Sequence, residues 1–130
     1  MASENCIFCK IAAGDIPAKR LWEDGSHIAF LDIRPASKGH ALVIPKEHSE
    51  SFLDMTKDSE KELFGAVQEV GKKLKESFGA EKIFVLLMGE EVPHTHVHLI
   101  PYYGKMPLSL NHEEGLDLDK ILEEFGNTEE

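Results

Sequence analysis

His94, His96 and His98 alternate with Thr95, Val97 and Leu99 and lead into Ile100. A period of two belongs to a β-strand, so residues 94–100 read as a strand with three imidazoles on one face and an apolar opposite face. Pro93 and Pro101 flank the run as its natural ends, because a central strand rarely tolerates an internal proline. Three imidazoles side by side do not pack as core; they form a polar wall that must bind something. Neutral imidazole is abundant at pH 7 and is a good nucleophile toward phosphorus, provided its other ring nitrogen is held by an oxygen, often a backbone carbonyl. Neighbouring histidines can bind phosphate oxygens or supply a proton to a leaving group. The spacing therefore points to phosphoryl-type transfer or to a metal site.

The two cysteines of the chain form one close pair, Cys6-x-x-Cys9. That is zinc-ligand spacing, with a redox pair and two buried free thiols as the competing readings. A redox pair usually opens a helix in a βαβ unit, which this N-terminus does not resemble. Zinc needs two more ligands, and His48 and His94 are the candidates. Two thiolates and two imidazoles would close a tetrahedral site with no position for water, so the metal would be structural. His96 lies two residues beyond His94, about 7 Å along a strand, so the nucleophile would sit beside the metal without binding it.

At 130 residues, with 42% hydrophobic residues, the chain reads as one domain over residues 1–130, residues 104–130 forming a C-terminal extension of uncertain order. The net charge of -10 argues against nucleic acid or an anionic membrane as partner. No apolar run approaches the roughly 20 residues that span a bilayer, and residues 1–5 lack the character of a signal peptide, so the expected location is the cytoplasm.

Several elements must position these side chains. Residues 11–13 read as a short helical turn. Residues 21–23 and 27–32 read as strands joined by an Asp24-Gly25 hairpin signal. Residues 40–45 form a third strand, apolar enough to be central, and residues 82–88 a fourth. Leu63, Val67, Val70, Leu74 and Phe78 recur at helical spacing, predicting a helix from about Lys57 to Phe78, with a Ser59/Glu62 capping box and Gly79 beyond its end. Leu118, Ile121, Leu122 and Phe125 fit either a short amphipathic helix or a frayed tail. The order predicts an α+β fold, an antiparallel sheet with helices on one side. His27 and His112 read as surface residues, and Trp22 as core or dimer-edge packing.

The run from His94 to Ile100 resembles the signature of the histidine triad (HIT) superfamily. Cys6-Ile7-Phe8-Cys9-Lys10-Ile11, Phe30-Leu31-Asp32-Ile33-Arg34-Pro35 and the stretch from Gly39 to His48 fall in that family's order, and the likeness covers roughly residues 6–103. The cysteine pair resembles the zinc-containing branch, whose structural Zn2+ ligands match Cys6, Cys9, His48 and His94. The resemblance implies a homodimer in which two five-stranded antiparallel sheets join, each with one long and one short helix. It implies a purine nucleotide site. His96 would attack the α-phosphate to give a covalent nucleotidyl-histidine, and water would release the nucleoside monophosphate. In the resemblance His98 would contact phosphate, Phe8, Ile28 and Phe30 the base, and Asp32 the ribose in preference to capping the Arg34-Pro35 turn, while His40 would either line the nucleotide pocket or make a structural hydrogen bond. One departure stands out: many relatives carry a longer loop with an amide or hydroxyl on phosphate, whereas here Gly89, Glu90 and Glu91 lead straight to the triad.

The leading expectation is a hydrolase or transferase acting on purine nucleoside phosphoramidates. The alternatives are a dinucleoside polyphosphate hydrolase and a nucleotide-binding protein with negligible turnover.

Overall fold

The computed structural model describes residues 5–88, 92–109 and 111–126. The expectations attached to Gly89, Glu90 and Glu91 lie outside the described residues. Helix α1 (Ile7–Ala13) is followed by strands β1 (Arg20–Glu23), β2 (His27–Leu31) and β3 (Ala41–Pro45), a 3-10 turn (Phe52–Asp54) and the long helix α2 (Lys57–Phe78). Strands β4 (Lys82–Leu87) and β5 (Val97–Tyr102) and a terminal helix α3 (Leu118–Gly126) complete the chain. The strands form one antiparallel sheet in the order β1-β2-β3-β5-β4, the α+β fold the sequence predicts.

Strand periodicity divides the core in two. Ala29, Ala41, Val43, Val97 and Leu99 face α2, where Leu63, Ala66, Val67, Val70 and Leu74 supply the helical stripe. Their alternates Ile28, Phe30, Leu42 and Ile44 face the other way and are covered by Cys6, Phe8, Cys9 and Ile11 of the α1 region. The helices therefore lie on both faces, not on one side as expected. The reason is that α1 begins at Ile7 rather than residue 11, which gives it enough apolar surface to cover the second face. Phe30 pairs with Leu42, and Leu42 with His98, so His98 shares the α1 face of the sheet.

The histidine run is not all strand. The His94 amide donates to Val92 O at 2.8 Å and the Thr95 amide to Ser49 O at 2.6 Å, so this backbone is tied to the loop after β3 and the ladder starts only at Val97. Pro101 lies inside β5 rather than at its boundary. The β3 ladder ends at Ala41 opposite Leu99, and the Ser37 hydroxyl donates to Pro101 O at 2.7 Å on that side. The proline nitrogen points the same way as its carbonyl, so no ladder bond is lost.

Helix α2 has the expected bounds but a different cap. Thr56, extended at φ -69° and ψ 160°, accepts the Ser59 amide on its hydroxyl, so Ser59 is the capped residue and not the cap. Gly79, at φ 68°, closes the helix with its amide on Lys75 O. Trp22 packs at the margin of the α2 core and donates its indole N–H to Glu69 at 3.3 Å. His27 is buried rather than on the surface, with Nδ1 3.2 Å from Asp24 Oδ1, while His112 is exposed. Helix α3 forms, with none of its residues buried. No helix among the described residues is long and apolar enough to cross a membrane.

Candidate active site and metal centre

Three short segments converge at the α1 end of the sheet: the Cys6–Cys9 turn, the loop leaving β3 at His48, and the backbone before β5. The structure brings Cys6, Cys9, His48 and His94 together, one ligand atom from each lying within 4.8 Å of all the others. His94 Nδ1 is 3.2 Å from Cys6 Sγ, 3.4 Å from Cys9 Sγ and 3.3 Å from His48 Nδ1, and His48 Nδ1 is 3.3 Å from Cys9 Sγ. Zinc bonds of about 2.0–2.3 Å in a tetrahedron place ligand atoms about 3.3–3.8 Å apart, so the cluster has the size of a zinc site. Its tautomer fits too. His94 Nε2 donates to Pro45 O at 2.9 Å, which turns the Nδ1 lone pair toward the cysteines. Burial pushes the His94 imidazole below the usual histidine range and so favours the neutral form that a ligand needs. These four residues can hold a metal ion, which would tie α1, the β3 loop and the His94 segment together. All four positions of the tetrahedron are filled by protein, so the metal would supply no step of chemistry.

Beside this cluster, His96 is buried and its Nδ1 donates to His94 O at 2.7 Å. With that nitrogen committed as donor, Nε2 carries the lone pair. Phe8 meets the His96 ring edge-on at 5.0 Å between centroids and meets Phe30 at 5.7 Å. His98 follows at 5.2 Å from His96, and its Nδ1 lies 3.0 Å from His40 Nε2. Asp32 completes the group, its Oδ2 3.4 Å from His40 Nε2 and 3.9 Å from His98 Nδ1, while its Oδ1 accepts the Arg34 amide at 2.8 Å.

The structure brings the residues singled out in the sequence close together, and the three expected to line the base differ in place. Phe8 and Phe30 pack beside His96, but Ile28 is 0% exposed and underlies them. Three partners went unnoticed in the sequence: Pro45 O, His94 O and the Ala36 amide. They are backbone groups, which every residue type supplies, apart from the N–H that proline lacks. A separate cavity of about 550 Å3 opens by His48 and is not lined by His96 or His98. Glu47, Glu50, Asp54 and Glu62 stand around it against Lys46, a balance that disfavours a phosphate there.

Comparison with known proteins agrees with this geometry. The sequence matches the HIT domain family over residues 13–105. It is 43% identical over 102 residues to a Schizosaccharomyces pombe protein named adenosine 5′-monophosphoramidase hnt1, covering 75% of this chain and 74% of that one. The fold superposes on the crystal structure of a HIT family member from Bacillus subtilis with a TM-score of 0.83, at 37% identity over 95% of this chain and 96% of that one. It also superposes on a zinc-bound histidine triad family protein from Mycobacterium smegmatis with a TM-score of 0.75, at 30% identity over 85% of this chain and 84% of that one. Matched across most of its length in both sequence and fold, the chain belongs to the HIT family.

Proposed function

We propose that this protein is a nucleotide hydrolase or transferase that cleaves at the α-phosphate of purine nucleoside conjugates, with phosphoramidates as the preferred class. The observation that carries the proposal is the His96 hydrogen bond to His94 O at 2.7 Å, which commits Nδ1 and leaves the lone pair on Nε2 for attack. The name of the S. pombe relative supports the phosphoramidate class.

In this reading the His96 Nε2 lone pair forms a bond to phosphorus as the phosphorus–nitrogen bond to the leaving amine breaks, and the amine takes up a proton from solvent as it departs. Water then attacks phosphorus and gives up a proton to solvent, the bond to Nε2 breaks to restore its lone pair, and nucleoside monophosphate leaves. His98 holds a phosphate oxygen, Asp32 the ribose, and Phe8 and Phe30 the base over the floor made by Ile28. Zn2+ at Cys6, Cys9, His48 and His94 is structural. The protein acts as a cytoplasmic homodimer.

The test is release of adenosine monophosphate from adenosine 5′-phosphoramidate by the intact protein and by His96→Asn. Asparagine keeps an amide donor for His94 O but has no nitrogen to attack. Turnover that vanishes in the variant, with a covalent nucleotidyl adduct trapped only on the intact protein, is the expected result. If the intact protein does not turn over this substrate, dinucleoside polyphosphates become the substrate class to assay. Binding of nucleotide without turnover of either would leave a nucleotide-binding protein.

A further inference from the structure

His40 has both ring nitrogens engaged within the protein. The Ala36 amide donates to His40 Nδ1 at 2.9 Å. A nitrogen that accepts an N–H cannot carry a proton, so neutral His40 bears its hydrogen on Nε2. That hydrogen faces His98 Nδ1 at 3.0 Å and, more distantly, Asp32 Oδ2 at 3.4 Å. Two N–H groups cannot face each other at 3.0 Å. His98 Nδ1 must therefore be the acceptor, and the His98 proton must sit on Nε2.

We propose that His40 is a positioning residue: seated by the Ala36 amide and the Asp32 carboxylate, it fixes His98 as the tautomer that presents Nε2–H as a donor to the phosphoryl group. The proposal rests on the functional reading above and adds what prepares His98 for it. Without His40, a neutral imidazole at position 98 would divide between two tautomers, and one of them would turn a lone pair toward the phosphate oxygens. Repulsion there would oppose the charge that develops in the transition state.

The same three side chains could be read as a metal site, since Asp32, His40 and His98 bring ligand atoms within 4.8 Å of one another. The Ala36 amide argues against it. A metal on His40 Nε2 would require the proton to move to Nδ1, where it would meet the amide hydrogen. Direct contact of His40 with a nucleotide is disfavoured for a related reason: Nδ1 and Nε2 already have partners at 2.9 and 3.0 Å, and the residue is buried.

Two substitutions separate the positioning role from a merely structural one. His40→Gln places an amide N–H near the former Nε2 and keeps the donor to His98. His40→Asn places an oxygen near the former Nδ1, keeping the acceptor for the Ala36 amide but losing the donor to His98. The readouts are the nitrogen-15 resonances of the His98 ring, which report which nitrogen is protonated, and kcat and KM on the phosphoramidate. The expected result is Nε2–H at His98 in the intact protein and in His40→Gln, and a mixture of tautomers in His40→Asn. With it, kcat falls about 100-fold in His40→Asn, KM changes little, and His40→Gln stays within about tenfold of the intact protein. Nδ1–H at His98 in the intact protein would overturn the proposal, as would equal loss in both variants or a rise confined to KM. If the intact protein does not turn over, the His98 resonances still decide the proposal, and only the functional reading falls.

Discussion

His96 Nδ1 lies 2.7 Å from the carbonyl oxygen of His94, whose own ring belongs to the cluster with Cys6, Cys9 and His48. The side chain of His94 faces the cluster that could hold a metal while its backbone fixes the tautomer of the neighbouring histidine. Whatever holds His94 still also holds His96 ready.

Metal removal should therefore be felt twice. Loading with Zn2+ should give one ion per chain by elemental analysis and raise the unfolding midpoint; at 1,000 times its dissociation constant a ligand adds about 4 kcal/mol. Cys9→Ser should lose the ion and that increment. Its kcat should fall with it, because the His94 carbonyl is no longer anchored. Calorimetry with and without chelator, followed by an activity assay, checks both effects.

Gly39 should tolerate no side chain. Its φ is +89°, and a Cβ there would approach Phe78 Cδ2 to 2.8 Å. Gly39→Ala should cost about 1–3 kcal/mol in urea unfolding, combining left-handed strain with displacement of the Phe78 ring. Activity should fall as well, since the next residue is His40.

The α2 cap can be tested by contrast. Thr56→Ala removes the oxygen that accepts the Ser59 amide at 3.1 Å and should cost about 1 kcal/mol. Ser59→Ala leaves that hydrogen bond intact and should stay within about 0.5 kcal/mol of the parent. Equal effects in denaturant titrations would place the cap elsewhere.

Stability should fall on mild acidification partly through His40. Burial pushes its imidazole below the usual range, and the Asp32 carboxylate offsets only part of this. Its folded pKa is thus below the unfolded value of about 6.5. Between the two the unfolded chain binds more protons, so stability rises as pH climbs to about 6.5 and is lost as pH drops below it. His40→Gln removes this titration and should flatten the dependence of the unfolding free energy on pH below about 6.5.

The sequence alone determined the outline of the fold and singled out the residues able to do chemistry. Alternation at His94, His96 and His98, the Cys6-x-x-Cys9 spacing and the helical stripe from Leu63 to Phe78 are local patterns, and in α2 local backbone geometry alone turns the pattern into a face. The α2 bounds and the strand sequence followed from the same periodicities. What tertiary structure decided lay in backbone groups and long-range pairings. Ser49 O takes the Thr95 amide and keeps the first two histidines out of the ladder. Early termination of the β3 ladder lets Pro101 stay inside β5. Pro45 O, His94 O and the Ala36 amide, from three separate segments, set the tautomers of His94, His96 and His40. Carbonyls are the same for every residue type, and amides for every type but proline, so no sequence pattern marks them; only the folded chain selects which of them meets each ring nitrogen.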